Sequence, residues 1–300
     1  MADGSLVFDT KIDSAGFSGG LKRLGVIGVK ATAAVTAGLA AVSGYAVKVG
    51  ASFEAGMSEV AAISGASKSE LDALSEKAKE MGATTKFSAT ESAEALKYMA
   101  MAGWDTEKMM SGLPGVMNLA AASGEELGLV SDIVTDSMTA FGLKADQAGH
   151  FADVLAMASS KSNTNVAMLG ESFKYVAPLA GALGYSAEDT SVALGLMANA
   201  GIKGSQAGTS LRSALSRLAK PTDQMQVAMA ELGLSLTDSS GQMKPLSVLM
   251  DDMRGSMQGL SEEQQAYFVS TLFGKEAMAG MLAIVNASDE DYQSLTESIN

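Results

Sequence analysis

The sequence predicts an all-α protein, a train of short amphipathic helices packed as an irregular bundle. Three observations predict this fold class. Apolar residues recur every three or four positions, which is the spacing of one helix face. A glycine followed by one apolar residue, a pattern that ends helices, is predicted to end a helix at five places between Gly103 and Leu234. Serine followed three residues later by glutamate indicates several helix starts, because the two side chains then bind free amides at a helix N-terminus.

The first 50 residues differ from the rest of the chain in charge. They carry five basic and three acidic side chains, a charge of +2, whereas residues 51–300 carry 16 basic and 31 acidic side chains, a charge of −15. Between Lys30 and Lys48 lie 17 uncharged residues, most of them Ala, Val, Gly and Thr. A bilayer-spanning helix needs about 20 strongly apolar residues. We therefore expect residues 1–50 to form a basic and apolar N-terminal arm with a long Ala/Gly-rich helix that packs closely on other helices.

Residues 51–233 are predicted to be a helical core with readable ends. Capping boxes predict helix starts at Ser67–Glu70, Ser88–Glu91 and Ser123–Glu126, with a weaker version at Ser186–Asp189. Schellman motifs, in which a left-handed glycine ends the helix, are predicted at Gly103-Trp104, Gly142-Leu143, Gly184-Tyr185, Gly201-Ile202 and Gly233-Leu234. The spacing of these five pairs is uneven, so the sequence does not predict a regular solenoid.

Apolar stripes connect these ends. They run from Leu127 to Phe141, from Val166 to Val176 and from Leu211 to Leu218, in steps of three or four residues. Within the last stripe, Arg212 and Arg217 are predicted to point away from the buried face.

Residues 234–300 are predicted to form a small β-hairpin followed by further helices. Leu234 and Leu236 alternate, Asp-Ser-Ser-Gly at 238–241 is a turn sequence, and Met243 begins a return, which places the hairpin near residues 234–244. Helices are expected to resume at Pro245, after Ser261 and after Ser288. The helical pattern continues to the last residue without an ending signal, and we expect it to lead into a missing C-terminal part.

Composition excludes most catalytic and metal sites. The chain has no Cys and a single His, which removes thiol catalysis, Cys-ligated metals and every multi-His site. His150 could act as a catalytic base only beside a reactive serine, and no G-x-S-x-G turn occurs in the chain. No calcium loop and no phosphate-binding loop is present either. The net charge of −13 disfavours specific nucleic-acid binding, which needs clustered Lys and Arg.

The remaining candidate residues also have structural explanations. Acidic residues are adjacent at Glu125-Glu126, Asp251-Asp252, Glu262-Glu263 and Asp289–Asp291, but adjacency cannot place two carboxylates across a cleft. Trp104 is expected to be a helix-ending contact. The 20 Met residues are interpreted as core filler, the alternative being an adaptable interface that can repack. No catalytic, cofactor-binding or metal-binding residue is predicted, and the protein is not expected to be an enzyme.

Several runs of sequence carry a resemblance to a known family. They are FEAGMSEVAAISG (53–65), ATTKFSATESAEALKYMAMAGW (83–104), LPGVMNLAAASGEEL (113–127) and the helix end at Phe141–Leu143. The most specific run covers residues 163–218 and includes AGIKGSQAGTSLR (200–212). These runs are similar to the core region of phage tail tape measure proteins of the TP901 type. The opening FDTKIDSAGFSGGLKRLG (8–25) also resembles the usual start of that family.

The resemblance implies a structural role. Tape measure proteins run through the lumen of the growing phage tail, their length sets where tube polymerisation stops, and they leave the tail ahead of DNA at infection. The implied partners are the tail tube protein, tail tip or baseplate proteins and tail assembly chaperones, with a homo-oligomer and contact with the host membrane during DNA ejection also expected. The implied location is the virion tail, and the bacterial host cytoplasm during assembly. The alternative is a membrane-active helical protein, pore-forming or holin-like, that uses residues 24–50.

Overall fold

The computed structural model describes residues 48–299. The chain divides into two compact units, residues 1–54 and 55–300. Of the first unit the structure describes residues 48–54, which belong to helix α1 (48–64). The long Ala/Gly-rich helix expected before residue 48 lies outside the described residues.

The unit 55–300 is a succession of helices joined by short connections, which confirms the all-α prediction for the described part. After α1 come α2 (Lys68–Thr84), α3 (Ala89–Met101), α4 (Thr106–Ser123), α5 (Leu127–Phe141), α6 (Ala148–Lys161), α7 (Val166–Ala182), α8 (Ala187–Asn199), α9 (Gly204–Leu218), α10 (Asp223–Glu231), α11 (Leu246–Met257), α12 (Glu262–Val285) and α13 (Asp289–Ile299). A short 3-10 turn, Ala145–Gln147, precedes α6.

Most of the predicted helix starts are confirmed. Ser67 and Ser88 form complete capping boxes with Glu70 and Glu91, and Ser186 accepts a hydrogen bond from the Asp189 amide at 3.0 Å.

The capping box predicted at Ser123 is wrong. Ser123 is the last residue of α4, and Gly124, with φ of 75°, ends that helix. Helix α5 then begins at Leu127, after Glu126, whose side chain makes no capping hydrogen bond. The serine and the glycine that follows it therefore belong to a helix end.

All five predicted Schellman ends are confirmed. In each, the amide of the apolar residue donates to the carbonyl five residues earlier, over 2.8 to 3.0 Å: Trp104 to Met99, Leu143 to Met138, Tyr185 to Ala180, Ile202 to Met197 and Leu234 to Met229. The five glycines have φ between 67° and 86°, a region that strains any residue with a Cβ.

The helices alternate between two rows. Helices α3, α5, α7, α9 and α12 pack side by side in the first row, and α4, α6 and α8 pack side by side in the second. Helix α13 packs against α6 and α8. The first-row helices α3, α5 and α7 end at Gly103, Gly142 and Gly184, which are 39 and 42 residues apart. This stacking of helical hairpins is more regular than the expected irregular bundle. The spacing of about 40 residues is not evident in the sequence, because Gly201 ends a helix of the second row and interrupts the series of first-row ends.

Glycines bring neighbouring helices of the first row into close contact. A Cβ added at Gly170 of α7 would meet the Ile133 side chain of α5. One added at Gly208 of α9 would lie on the Ser172 carbonyl of α7, and one at Gly280 of α12 on the Ser210 hydroxyl of α9. Small residues at these positions let the backbones approach, which suits a chain with few aromatic residues.

A serine two positions after the glycine reaches the next helix. The Ser172 hydroxyl donates to the Gly204 carbonyl of α9 at 2.8 Å, and the Ser210 hydroxyl donates to the Ala277 carbonyl of α12 at 3.3 Å. Gly170-x-Ser172 and Gly208-x-Ser210 therefore form the same joint twice along the row, and we call them the Gly-Ser joints.

The predicted β-hairpin is reduced to one antiparallel bridge, between Thr237 and Met243, and the described residues contain no longer strand. Asp238 closes the turn tightly, because its Oδ1 accepts hydrogen bonds from the amides of Ser240 at 2.8 Å and Gln242 at 3.0 Å. Helix α11 follows directly after Pro245, so the arms are too short for a strand.

Candidate interaction surface

His150 lies in the first turn of α6 with most of its side chain exposed. Its Nε2 is 2.7 Å from Glu188 Oε1 of α8. The imidazole therefore joins two helices of the second row at the surface.

The four acidic runs occupy separate places. Glu125-Glu126 lies in the loop before α5, Asp251-Asp252 inside α11, and Glu262-Glu263 and Asp289–Asp291 in the first turns of α12 and α13, where the helix dipole favours carboxylates. Within residues 48–299 no group of three or more His, Asp and Glu side chains is arranged to hold a metal ion.

Trp104 is a buried helix-ending contact, as the sequence predicts. Its ring lies against Gly112 of α4, where an added Cβ would overlap the ring carbons. The indole therefore fills the space that this glycine leaves.

The prediction that Arg217 points away from the buried face is wrong. Its side chain is half-buried, and its Nε and Nη2 donate to the carbonyls of Leu272 and Thr271, each at 3.0 Å. These carbonyls lie where α12 breaks at Gly274, with φ of 78° and ψ of 170°. The break removes their helical partners, and the guanidinium replaces them.

Helix α12 is the one helix among the described residues that is long and apolar enough to cross a membrane. Gly274 interrupts the middle of this helix, and two exposed charged residues, Lys275 and Glu276, follow the break directly. Charged residues are unfavourable at a bilayer centre. Val269, Leu272 and Phe273 are buried in the protein. These features are those of a core helix.

A buried polar cluster fastens α13 to the rest of the unit, and sequence reasoning missed it. Arg254 of α11 is 6% exposed. Its guanidinium donates to the carbonyls of Ile284 at 3.0 Å and Ala287 at 2.7 Å, and to Asp289 Oδ1 at 2.8 Å. It also lies 4.5 Å from the centre of the Tyr292 ring.

The second half of the cluster connects α8 to α11. Asp189, also buried, accepts hydrogen bonds from the Ser247 amide and hydroxyl at 2.9 and 3.0 Å. The Tyr292 hydroxyl donates to the Ser247 carbonyl at 3.3 Å. Burial of the phenol and the negative charge of nearby Asp251 raise the pKa of Tyr292. The polar groups of the cluster form hydrogen bonds with other groups of the protein, so the cluster has a structural explanation.

The exposed sides of α3, α5, α7 and α9 form one side of the first row, which we call the outer face. Each helix contributes one stripe with a spacing of three or four residues, opposite its buried stripe. The stripes are Glu91, Glu94, Tyr98 and Met101 on α3; Leu129, Asp132, Asp136 and Thr139 on α5; Met168, Glu171, Lys174, Tyr175 and Pro178 on α7; and Ser205, Thr209, Arg212 and Ser216 on α9.

Acidic residues dominate one end of the outer face. Between α3 and α5 lies an open groove of about 670 Å³. The side chains of Tyr98 and Leu129 line it, together with five acidic residues: Glu91, Glu94, Glu125, Glu126 and Asp132. Lys86 also lines it, but its ammonium group lies 3.3 Å from the Ala121 carbonyl. The α3–α5 end is therefore strongly negative.

The other end of the outer face carries the positive charges. Arg212 of α9 lies 5.9 Å from the centre of the Tyr175 ring of α7, and Lys174 is 3.8 Å from Glu171. A smaller groove of about 220 Å³ between α5 and α7 separates Asp136 from Lys174. Partial burial and the nearby Asp132 raise the pKa of Asp136. The outer face thus changes sign between α5 and α7.

Comparison of the sequence with known proteins identifies the family of this chain. The sequence model of the family described as phage-related minor tail protein matches residues 75–274, which is two thirds of the 300 residues. The chain belongs to the family of phage-related minor tail proteins. In this minor tail protein the matched region runs from α2 to the Gly274 break in α12, and it includes the outer face and both Gly-Ser joints.

Two relatives share most of this minor tail protein. It is 42% identical over 273 residues to the tape measure protein of Pneumococcus phage Dp-1, which is 91% of this chain and 24% of that protein. It is 32% identical over 235 residues to the probable tape measure protein of Escherichia phage P2, which is 77% of this chain and 29% of that protein. The chain spans about a quarter of the length of these curated relatives. No solved structure matches it.

Proposed function

We propose that this chain is the part of a tape measure protein that helps to initiate tail assembly, within a protein whose length sets the length of the tail. The observation that carries the proposal is the 42% identity, over 91% of the chain, to a protein named tape measure protein. The division along the chain is part of the proposal: residues 1–50 are an arm, residues 51–233 the tape measure core, and residues 234–300 lead towards a further C-terminal part.

The geometry of the unit 55–300 supports an initiating role in preference to a measuring one. A ruler needs a helix that continues along the tube, at about 1.5 Å per residue. Here the chain reverses direction between rows at every helix from α3 to α9, every 20 residues or so, and α4, with 18 residues, is among its longest unbroken helices. Adding or removing residues here would change a packed body instead of an axial length.

The remaining parts of the role are proposals of the same kind. The partners are the tail tube protein, tail tip or baseplate proteins and tail assembly chaperones, and the chain forms a homo-oligomer. It assembles in the bacterial host cytoplasm, resides in the virion tail and is released ahead of DNA at infection.

A membrane role for residues 24–50 is not favoured as the main function, and we retain it only for the infection step. The arm has a charge of +2 beside a body of −15, and inner leaflets carry anionic lipids that attract basic segments. A peptide of residues 22–50 that neither binds nor perturbs anionic vesicles would remove this step.

Purified tails test the proposed function. We expect mass spectrometry to find peptides from residues 55–300 in tails, and we expect a phage that lacks this segment to form none. Normal tails without the segment would contradict the proposal, and so would its recovery only from host membranes.

A further inference from the structure

Helix α13 fills a groove between α6 and α8 of the second row. Its buried residues, Tyr292, Leu295 and Ile299, are three and four positions apart, which is the pattern of a helix that binds a groove with one face. A Cβ added at Gly195 of α8 would lie 3.1 Å from Leu295 Cδ2 and 3.3 Å from the hydroxyl of Ser162, at the end of α6. Leu295 therefore lies where Gly195 and Ser162 meet.

The second row repeats, and these positions repeat with it. The helices that follow α4, α6 and α8 have N-cap residues 39 and 38 positions apart, Glu126, Asn165 and Lys203. Ser162 and Ser123 each lie three positions before such an N-cap, and Gly195 and Met157 each lie eight positions before one. Ser123 of α4 and Met157 of α6 therefore correspond to the two residues against which Leu295 packs.

The groove between α4 and α6, at Ser123 and Met157, is open. It measures about 370 Å³, and both residues line it. Leu119 and Val166 also line the groove and are buried. No helix of residues 48–299 fills this α4–α6 groove, whereas α13 fills the corresponding place one repeat later.

We propose that the α4–α6 groove binds an amphipathic helix of another protein, in the way that the α6–α8 groove holds α13. The partner helix presents apolar residues three and four positions apart and is polar on its other sides. The described helices of a second copy offer no such face, because α2 to α13 bury their apolar stripes within their own unit. The proposal goes beyond the tail role and does not depend on it, since the purified chain should bind such a helix by itself.

The polar rim of the α4–α6 groove leaves its apolar surface to dominate binding. The hydroxyls of Ser159 and Ser160 donate to carbonyls within α6, at 3.0 and 3.1 Å. The side-chain oxygen of Asn165 accepts a hydrogen bond of 2.8 Å from the first turn of α7. These polar groups already have partners, so Leu119 and Ala122 are left as surface for an apolar guest.

One difference between the two grooves sets the shape of the partner helix. Met157 stands where α8 has Gly195, and its half-buried side chain takes part of the space that Leu295 occupies in the α6–α8 groove. A helix with leucine at that anchor meets the Met157 side chain, whereas a helix with alanine avoids it. The α4–α6 groove should therefore prefer a small residue at its central anchor.

Fluorescence anisotropy with two helical peptides tests the proposal on the 300-residue chain. Both peptides have the sequence of residues 288–299 and are held helical by a covalent link between the exposed positions 293 and 297. One keeps Leu295 and the other carries Leu295→Ala. The tether of α13 gives it an effective concentration of about millimolar in its own groove, so a free peptide reports on the α4–α6 groove.

The wild-type chain should bind the Leu295→Ala peptide more tightly than the Leu295 peptide. Met157→Gly makes the α4–α6 groove resemble the α6–α8 groove. We expect this variant to shift the ratio of the two Kd values by at least roughly tenfold in favour of the Leu295 peptide.

Ala122→Glu and Ala121→Glu form a matched pair of variants. Both residues are exposed on α4, but only Ala122 is among the residues that line the groove. Each variant adds the same charge, so long-range repulsion of the acidic peptides is equal. Ala122→Glu should raise the Kd of the Leu295→Ala peptide by roughly tenfold or more, because binding would bury a carboxylate without a partner. Ala121→Glu should change this Kd by less than about threefold.

Three outcomes would overturn the proposal. They are no saturable binding of either peptide to the wild-type chain, an equal effect of the two glutamate variants, and a ratio of Kd values that Met157→Gly leaves unchanged. A peptide that displaced α13 instead would bind the Ala122→Glu and Ala121→Glu chains alike, and this result also counts against the α4–α6 groove.

Discussion

Gly208→Ala tests the close contact between α7 and α9. The added methyl carbon would lie on the Ser172 carbonyl, with the Ser172 Cα also within 3.0 Å. These are backbone atoms, so no side chain can rotate away. The two helices would have to separate, and the hydrogen bond from the Ser172 hydroxyl to the Gly204 carbonyl, now 2.8 Å long, would lengthen.

The expected loss of stability follows from three contributions. Overpacking of a well-packed contact costs about 1–3 kcal/mol, and a lost internal hydrogen bond costs about 1 kcal/mol. Replacing glycine by alanine inside a helix gains about 1 kcal/mol in backbone entropy. The free energy of unfolding should therefore fall by about 1–3 kcal/mol.

Gly255→Ala is the matched control. Gly255 lies inside α11, is exposed, and has no atom within 4 Å of an added Cβ. The same substitution should here raise the free energy of unfolding by about 0.5–1 kcal/mol. Urea unfolding followed by circular dichroism measures both variants against wild type. A Gly208→Ala chain as stable as the Gly255→Ala chain would refute the close contact between α7 and α9.

Four further substitutions give three separate expectations. Arg254→Met should lower the free energy of unfolding by about 2–4 kcal/mol, since it leaves buried carbonyls without donors. Hydrogen exchange should show the loss of amide protection first in α13. Unchanged protection of α13 would contradict the buried cluster. The raised pKa of Tyr292 means that the folded chain keeps this proton above about pH 10, where the unfolded chain releases it. Stability should therefore fall as pH rises above 10, and Tyr292→Phe should flatten the fall in urea midpoint between pH 9 and pH 11; an equally steep fall would argue against the shift. Ser88→Ala should lower the free energy of unfolding by about 1 kcal/mol, whereas Ser123→Ala should change it by less than about 0.5 kcal/mol; equal effects would contradict the assignment of Ser123 to a helix end.

Local motifs could be predicted from the sequence because all their atoms lie within a few residues. The Gly-apolar ends succeed for this reason, since the bond from Trp104 to Met99 spans five residues. Ser123 shows the limit of the method. A serine, a glycine and two acidic residues in succession satisfy both a helix start and a helix end, and only the position of α4 decides between them.

Contacts between distant residues could not be predicted. Arg217 and Arg254 bind carbonyls 30 to 55 positions away, and their own helices give no sign of these partners. Gly208 and Gly255 look alike in the sequence, although one lies against a neighbouring backbone and the other faces open space. The outer face is equally hidden, because its change of sign depends on which helices lie side by side.

Tail length in electron micrographs tests the compact, non-ruler role of the unit 55–300 most directly. A phage that lacks residues 186–202 loses α8 and one connection, and this removes the cover from apolar faces of α6 and α9. At about 25 cal/mol for each Å² of lost apolar burial, the loss exceeds what a marginally stable unit tolerates. We expect such phage to form no tails, while a Gly255→Ala phage forms tails of normal length. Viable phage with tails shorter by about 25 Å, the length of 17 residues of axial helix, would contradict the compact unit and make this region part of the ruler.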